Sequence, residues 1–320
     1  MLNLSPDLAK KLEGIGNELK AIYADSTNEK EIIRQKLRDS GTYFRQMESI
    51  STRTLSNWLN GREIAGVDGS VNQTKGQPPH LLYLFQALAK TISGYECRES
   101  DVYTPLLDTK EEIEQEKQPI KWRSHLLAKI ELEVAKRLIE EKDVGFLMMD
   151  GALYHYRIDA PEEWESLRLL ALEKDVLLVG VSEEITTENL IKLPAFKDHA
   201  RKPHTYDRDL LFGKLNRGEM IHLEDIQQKA GLSSSWMRPS SAPSITGFDL
   251  LIEQSEKRDL VSDLLYTLTP KDGRGIPFWL DHVDRDVRVT DRLVEALVEQ
   301  YIDPEIKQRL LIQKRQDRPY

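Results

Sequence analysis

"EIAGVDGSV", residues 63–71, is the stretch on which the fold turns. An apolar run ends in a carboxylate, Asp68, and Gly69 and Ser70 follow at once. Eighty residues on, "VGFLMMDGALYHY" (144–156) repeats the pattern with Asp150 and Gly151. Both apolar runs are short enough to read as strands. Asp-Gly is a common turn dipeptide, so each taken alone reads as a turn. The other reading is two halves of one site. Ligands of open α/β sheets bind where strands end, and a glycine there lets a ligand approach the backbone closely.

Working outward, "SHLLAKIELEVAKRLIEEKD" (124–143) is the clearest helix, with Leu127, Ile130, Val134 and Leu138 on one face. "VGFLMMDGALYHYRI" returns to strand and allows a strand-turn-strand passage around Gly151. "PEEWESLRLLALEKD" (161–175) reads as a second helix, and "VLLVGVSEEI" (176–185) suits a buried strand. "TYDRDLLFGKLNRGE" (205–219) reads as a third helix. "YECRESDVYTPLL" (95–107) is ambiguous, and "TKGQPP" (74–79) and "SSSWMRPSSAPS" (233–244) read as loops or linkers. "GIPFWLDHVDRDVRVTDRLVEALVEQYIDPEIKQRLL" closes the chain as a loop or strand and then a long helix. Strands alternating with helices indicate an α/β domain over 61–320.

Residues 1–60 read as a helical arm. "SPDLAKKLEGIGNELKAIY" (5–23) opens with Ser5 as N-cap and Pro6 in the first turn. Leu8, Leu12, Ile15, Leu19 and Ile22 form one apolar stripe, suited to packing on a core or a partner helix.

The composition bounds the rest. The chain has 320 residues, 39% hydrophobic and 31% charged, with a net charge of −9. Bulk charge therefore does not suit coating of nucleic acid. A metal-dependent nuclease is compatible with it, because its ions reverse the local field. No run approaches the ~20 apolar residues of a membrane helix, and the N-terminus does not read as a secretory signal. The single cysteine, Cys97, excludes an internal disulfide and a cysteine-rich zinc site, and fits a cytoplasmic compartment. There is no phosphate loop, dinucleotide fingerprint, nucleophile elbow or HExxH.

Besides Asp68 and Asp150, two residues are candidates for the same site. Glu133 borders the apolar stripe of the 124–143 helix, and Glu131 flanks its other side, so periodicity does not choose between them. His282 lies in "FWLDHVDRD" with Asp281, Asp284 and Asp286 as neighbours. Two or three carboxylates and a histidine suit one or two hard divalent ions, Mg²⁺ or Mn²⁺.

The ordered set "VDGS", "IELEVAKRL", "LMMDGAL", "LLVGVSEE", "YDRDLLFGKL" and "IPFWLDHVDRDVRVTDRLVEAL" resembles the NurA nuclease family, over about residues 60–305. The resemblance implies an RNase H-like core, a mixed sheet flanked by helices, with the helical arm before it and a C-terminal helix. It implies a Mn²⁺-dependent (or Mg²⁺-dependent) deoxyribonuclease, with 5′→3′ exonuclease and single-strand endonuclease activities and two ions per site. It implies a homodimer working with HerA, a hexameric translocase, in end resection during double-strand-break repair. Asp68, Glu133, Asp150 and His282 match the family's ion-holding positions, and the family spacing favours Glu133 over Glu131. Ser70, Lys75, Arg208, Lys214, Arg217 and Arg238 are candidates for touching DNA, as is the basic tail "KQRLLIQKRQDRPY". Two positions depart from the family: Ile276 stands where members often carry tyrosine, and Glu183 where they often carry a basic residue.

Two other functions fit the same residues. One is a non-catalytic dimeric module that caps or regulates a DNA translocase. The other is an RNase H-like nuclease acting on RNA or an RNA–DNA hybrid.

Overall fold

The computed structural model describes residues 5–24, 29–107, 119–199 and 205–310. In chain order its elements are α1 (Pro6–Ala24), α2 (Lys30–Asp39), β1 (Tyr43–Gln46), α3 (Thr52–Leu59), β2 (Glu63–Gln73), β3 (Tyr83–Thr91) and β4 (Glu96–Tyr103). Then come α4 (Pro119–Glu141), β5 (Val144–Asp150), α5 (Leu153–Asp159), α6 (Pro161–Glu173) and β6 (Leu177–Ser182). Next are α7 (Asp207–Leu211), β7 (Glu219–His222), α8 (Glu224–Gln227), β8 (Gln228–Lys229), β9 (Leu232–Arg238) and β10 (Thr246–Leu251). Four helices close the described chain: α9 (Arg258–Leu268), α10 (Phe278–Val287), α11 (Asp291–Tyr301) and α12 (Pro304–Leu310).

The chain divides into two compact units. One comprises residues 1–49, 182–248 and 257–276; the other comprises 50–181, 249–256 and 277–320. The division does not follow the expected cut at residue 60. The arm is also not all helix: β1 interrupts it and pairs with β7, Tyr43 opposite His222.

In the second unit, β2, β3 and β4 form an antiparallel meander. After α4 the chain returns to lay β5 parallel to β2, and after α5 and α6 it lays β6 parallel to β5. The strand order β4-β3-β2-β5-β6 is that of an RNase H-like core. Every residue of β5 before Asp150 is buried, as is every residue of β6 before Ser182. That is why both read as unbroken apolar runs rather than alternating ones. Helix α4 buries Ala128, Ile130, Leu132, Val134, Ala135 and Leu138. Helix α10 packs Val283 and Val287 against Leu88 of β3.

The first unit has its own core, in which Ile33 and Leu37 of α2 join Leu210, Leu211, Ile221 and Trp236. "SSSWMR" is not a loop but β9, antiparallel to β7. Its serines misled the reading, yet Ser233 and Ser235 are buried with Trp236 and Met237. The 205–219 stretch holds only the short α7 before β7.

Other differences lie in the second unit. The passage after Gly151 is strand to helix, α5, rather than strand to strand. "YECRESDVY" is the strand β4. The C-terminal stretch is three successive helices, broken at Arg288–Thr290 and Ile302–Asp303. Residues 311–320 of the basic tail lie outside the described residues. Among the described residues no helix is long and apolar enough to cross a membrane.

Candidate active site

The two aspartates that open the sequence reading sit on neighbouring strands. The parallel β2–β5 ladder runs to Val67 opposite Met149, so Asp68 and Asp150 follow as the next pair. Adjacent strands lie ~4.8 Å apart, and paired positions share a face. The two Asp-Gly steps nevertheless differ. Gly151 has φ +100° and turns the chain out of β5, a conformation that favours glycine. Gly69 makes no turn, because β2 continues through it to Gln73.

What Gly69 provides is room. A Cβ there would lie 2.1 Å from Glu131 Oε1 and 2.8 Å from Glu131 Cδ. The carboxylate of Glu131, on α4, therefore rests directly on the β2 backbone beside Asp68. Glu131 is 7% exposed, in line with buried Ala128, Ala135 and Leu138. Glu133, favoured by the resemblance, is not brought to the aspartates. Its side chain is 44% exposed and faces Lys129 at 3.9 Å on the solvent side of α4. The sequence held a signal for this: 128, 131, 135 and 138 are steps of three, four and three, which put Glu131 inside the buried stripe.

The electrostatics follow from this crowding. Burial pushes the Asp68 carboxyl up to about 8, with help from Asp150 and Asp284; the Gly69 N–H and Arg288 oppose it. Burial pushes Glu131 to about 8 as well, with Asp68 and Asp150 adding to it and the Tyr156 hydroxyl opposing. Tyr156 is itself buried, its hydroxyl donating to the Asp150 carbonyl at 3.1 Å, and burial and Glu131 raise it well above the usual phenol range. Sequence reasoning did not single out Glu131, Tyr156 and Asp284 as a group.

His282 is turned elsewhere. It is stacked on Trp279, with ring centroids 4.8 Å apart, and its Nε2 lies 3.2 Å from Asp286. Asp286 in turn pairs with Lys90 at 2.8 Å. Positions 282 and 286 share one side of α10, while 284 and 288, which act on Asp68, lie about 200° away around the helix. The histidine of the resemblance and the carboxylates thus stand on different sides of α10.

Asp68, Asp150 and Glu131 are oxygen donors of the kind hard divalent ions accept. They do not form a finished shell. Among the described residues no three His, Cys, Asp or Glu side chains already converge to hold an ion. The reason is geometric. A Cβ at Gly66 would meet Leu280, Trp279 and Val283 of α10, whereas one at Gly69 meets Glu131 of α4. Odd and even positions of a strand face opposite ways, so Asp68 faces α10 while Glu131 presses from the α4 side. Charge coupling reaches farther than ligation, and the three carboxylates are coupled without being closed around a point.

The residues proposed to touch DNA are variously engaged. The Ser70 hydroxyl accepts the Val289 N–H at 2.9 Å, and Lys75 pairs with Glu295 at 2.7 Å. Those two lie in the second unit. In the first, Arg208 faces Glu184 at 3.1 Å, and Arg217 donates to the Tyr266 hydroxyl. Arg238 donates to the carbonyls of Ala242, Leu215 and Ser241. Lys214 is buried, and burial lowers its pKa. Arg238 and Lys214 are thus structural where phosphate contacts were expected. Ile276 is buried, and Glu183 pairs with Arg274 at 2.8 Å.

A search of the curated proteins gives no match to this chain. Among solved structures it is similar to the catalytic domain of human endonuclease V, at 13% identity and TM-score 0.38, over 87% of this chain and 96% of that one. It is similar to Ciona intestinalis endonuclease V in complex with a 23mer DNA containing an inosine followed by a ribo-adenosine, at 10% identity and TM-score 0.33, over 74% and 98%. It is also similar to Aquifex aeolicus Argonaute, at 10% identity and TM-score 0.30, over 76% of this chain and 29% of that one. Likeness at this level says nothing of what this chain acts on. The family comparison does reach further. The NurA domain model matches residues 62–289, which run from the first strand of the RNase H-like core to the end of α10, and the chain belongs to the NurA family.

Proposed function

We propose that this chain is a metal-dependent deoxyribonuclease whose centre is the carboxylate group Asp68, Asp150 and Glu131. Membership of the NurA family supports a nuclease. The observation that carries the reading is the burial of Glu131 against Gly69, beside two aspartates in register on adjacent parallel strands. Coupled carboxylates, two of them pushed well above their ordinary range by burial, form a site that a divalent cation would stabilise.

Mn²⁺ or Mg²⁺, one or two ions, would be held by Asp68 and Asp150, with Glu131, rather than Glu133, as the glutamate whose charge is coupled to them from the α4 side. Bound there, the cation supplies charge neutralisation at the scissile phosphate and an activated water for in-line attack. The chain's own residues do the rest. Asp68 and Asp150, in register on adjacent strands, would fix where the cation sits. The Tyr156 hydroxyl, which donates to the Asp150 carbonyl, also lowers Glu131 and so couples it to β5. Arg288, held by Asp284, lowers Asp68 and keeps a positive charge beside it. The finer reading is DNA cleavage as a 5′→3′ exonuclease and single-strand endonuclease, by a homodimer serving a HerA-type translocase in end resection.

The test is cleavage of 5′-labelled single- and double-stranded DNA and of an RNA–DNA hybrid, with Mn²⁺, Mg²⁺ or EDTA, by wild type and Asp68→Ala. Metal-dependent DNA products from wild type alone are expected. Folded wild type that stays inert, alone and with a HerA-type partner, would sink the enzyme and favour the assembly module.

A further inference from the structure

The α10 side of the sheet holds a carboxylate that the centre described above does not use. Gly66, Asp68 and Ser70 alternate onto a single face of β2. A Cβ on Gly66 would stand 3.3 Å from Leu280 and from Val283. The Ser70 hydroxyl accepts the Val289 N–H at 2.9 Å. Helix α10 therefore runs beside β2 in the same direction. Asp68, midway between Gly66 and Ser70, lies level with the turn 284–287.

The packing decides which flank of that turn Asp68 meets. Val283 and Val287 sit on Leu88 of β3, the residue opposite Asp68. On one flank of this apolar line, His282 and Asp286 are drawn toward β3 and β4. Asp286 faces His282 and pairs with Lys90, which also holds Glu96. The other flank is the line Leu280, Asp284 and Arg288, spaced by four. Leu280 covers Gly66. Asp284 follows one turn on, over Asp68 and on the side of β5. Asp150, in register with Asp68, shares that face. The electrostatics agree, since Asp284 raises Asp68 and Arg288 lowers it.

Asp284 is not idle in the free chain. It is held by Arg288, in a pair whose side chains are 29% and 59% exposed. A pair that open to water is worth little, so another cation can take it over at small cost.

We propose that Asp284 is a further ligand of the divalent cation, joining Asp68 and Asp150 on the α10 side, and that Arg288 is a stand-in that yields Asp284 to the ion. The inference rests on the metal-centre reading above. It assigns the contribution of α10 to an aspartate, where the resemblance gave it to His282. It also makes Arg288 a competitor of the metal.

The test is Mn²⁺ binding by the full chain without DNA, read from the loss of the free-ion electron paramagnetic resonance signal. Wild type takes up Mn²⁺ and Asp68→Asn does not. Asp284→Asn raises Kd about tenfold or more, while His282→Asn stays within about threefold of wild type. Arg288→Gln lowers Kd about threefold. On top of Asp284→Asn the same change does nothing, because the coupling runs through Asp284. Asp284 and Arg288 are partly solvated, and a melting curve for each variant checks the fold. Wild-type affinity in Asp284→Asn, a loss that falls on His282→Asn in its place, or equal gains from Arg288→Gln in both backgrounds would each overturn the proposal and leave Asp68 in the centre. A wild type that takes up no Mn²⁺ would overturn the metal-centre reading, and the proposal with it.

Discussion

Glu219 in the first unit and the pair Asp68 and Glu131 in the second are enclosed carboxylates treated in opposite ways. In the first, Arg34 donates to both oxygens of Glu219, at 2.6 and 2.7 Å, and the Asn216 N–H adds a third donor. Burial raises Glu219, but Arg34 and Asn216 outweigh it and the net shift is downward. Asp207 of the same unit is fully buried and receives the N–H groups of Asn189 and Ile191 and the Thr187 hydroxyl. Without a cation, burial still raises it. In the second unit, Asp68 has the N–H of Gly69, and Glu131 has the Tyr156 hydroxyl. Both are pushed to about 8. The difference is one of purpose. A carboxylate answered by arginine holds a fold together, while carboxylates crowded against each other leave a charge deficit of the kind the proposed centre would fill with a cation.

That contrast can be broken most directly by removing its central member. Asp68→Ala should lower metal-dependent cleavage by on the order of a thousandfold or more while the protein stays folded. Cleavage rates and a melting curve on the same preparation decide it. Next comes the choice between two glutamates. Glu131→Gln should cost about a hundredfold in kcat and Glu133→Gln less than about threefold, since one is buried at the site and the other is exposed opposite Lys129. Equal losses would return Glu133 to the site. The first unit should respond in stability instead. Arg34→Met strands a partly buried Glu219 and should cost about 3 kcal/mol, the low end for a buried pair, in a denaturant titration. Gly69→Ala should fall between the two kinds. Its methyl would displace Glu131, costing about tenfold in activity together with about 1–3 kcal/mol of stability. A Gly69→Ala protein with wild-type rate would mean that the position of Glu131 does not matter.

The parallel core was legible because its strands are buried on both faces, so "VGFLMM" and "LLVGV" stand out as uninterrupted apolar runs. The first unit was not, because its strands hide polar residues: Ser233 and Ser235 in β9 are as buried as Trp236. At the site, the pairing of Asp68 with Asp150 was readable from two apolar runs closed alike by Asp-Gly, although only β5 ends there. Glu131 against Glu133 was not settled by the stripe that includes Leu127 and Ile130, because that stripe passes between them. The narrower line through Ala128, Ala135 and Leu138 would have chosen Glu131, but small alanines hardly register as apolar markers. His282 was chosen for its residue type. Its place on α10, two residues from Asp284, puts it on the other side of the helix.

The smallest expected effect is the one that sets the two units against each other in a single experiment. In the unfolded chain Asp and Glu titrate near about 4. Asp68 and Glu131 titrate near about 8 when folded. Their contribution is therefore fully present below about pH 4 and is lost as pH rises toward 8, because the unfolded chain releases protons that the folded chain retains. Glu219, held below its ordinary value, works in the other direction. Its contribution is present above about pH 4 and is lost only as pH falls through its folded value, so it is constant from pH 5 to 8. With metal removed by EDTA, melting temperature should thus fall by a few degrees from pH 5 to pH 8. In Asp68→Asn with Glu131→Gln that decline should flatten. Mn²⁺ at pH 8 should restore the wild type and leave the double variant unmoved, since a ligand stabilises only the form that binds it. Equal pH slopes in the two proteins would mean that these carboxylates are solvated in the metal-free chain, and the contrast with Glu219 would collapse.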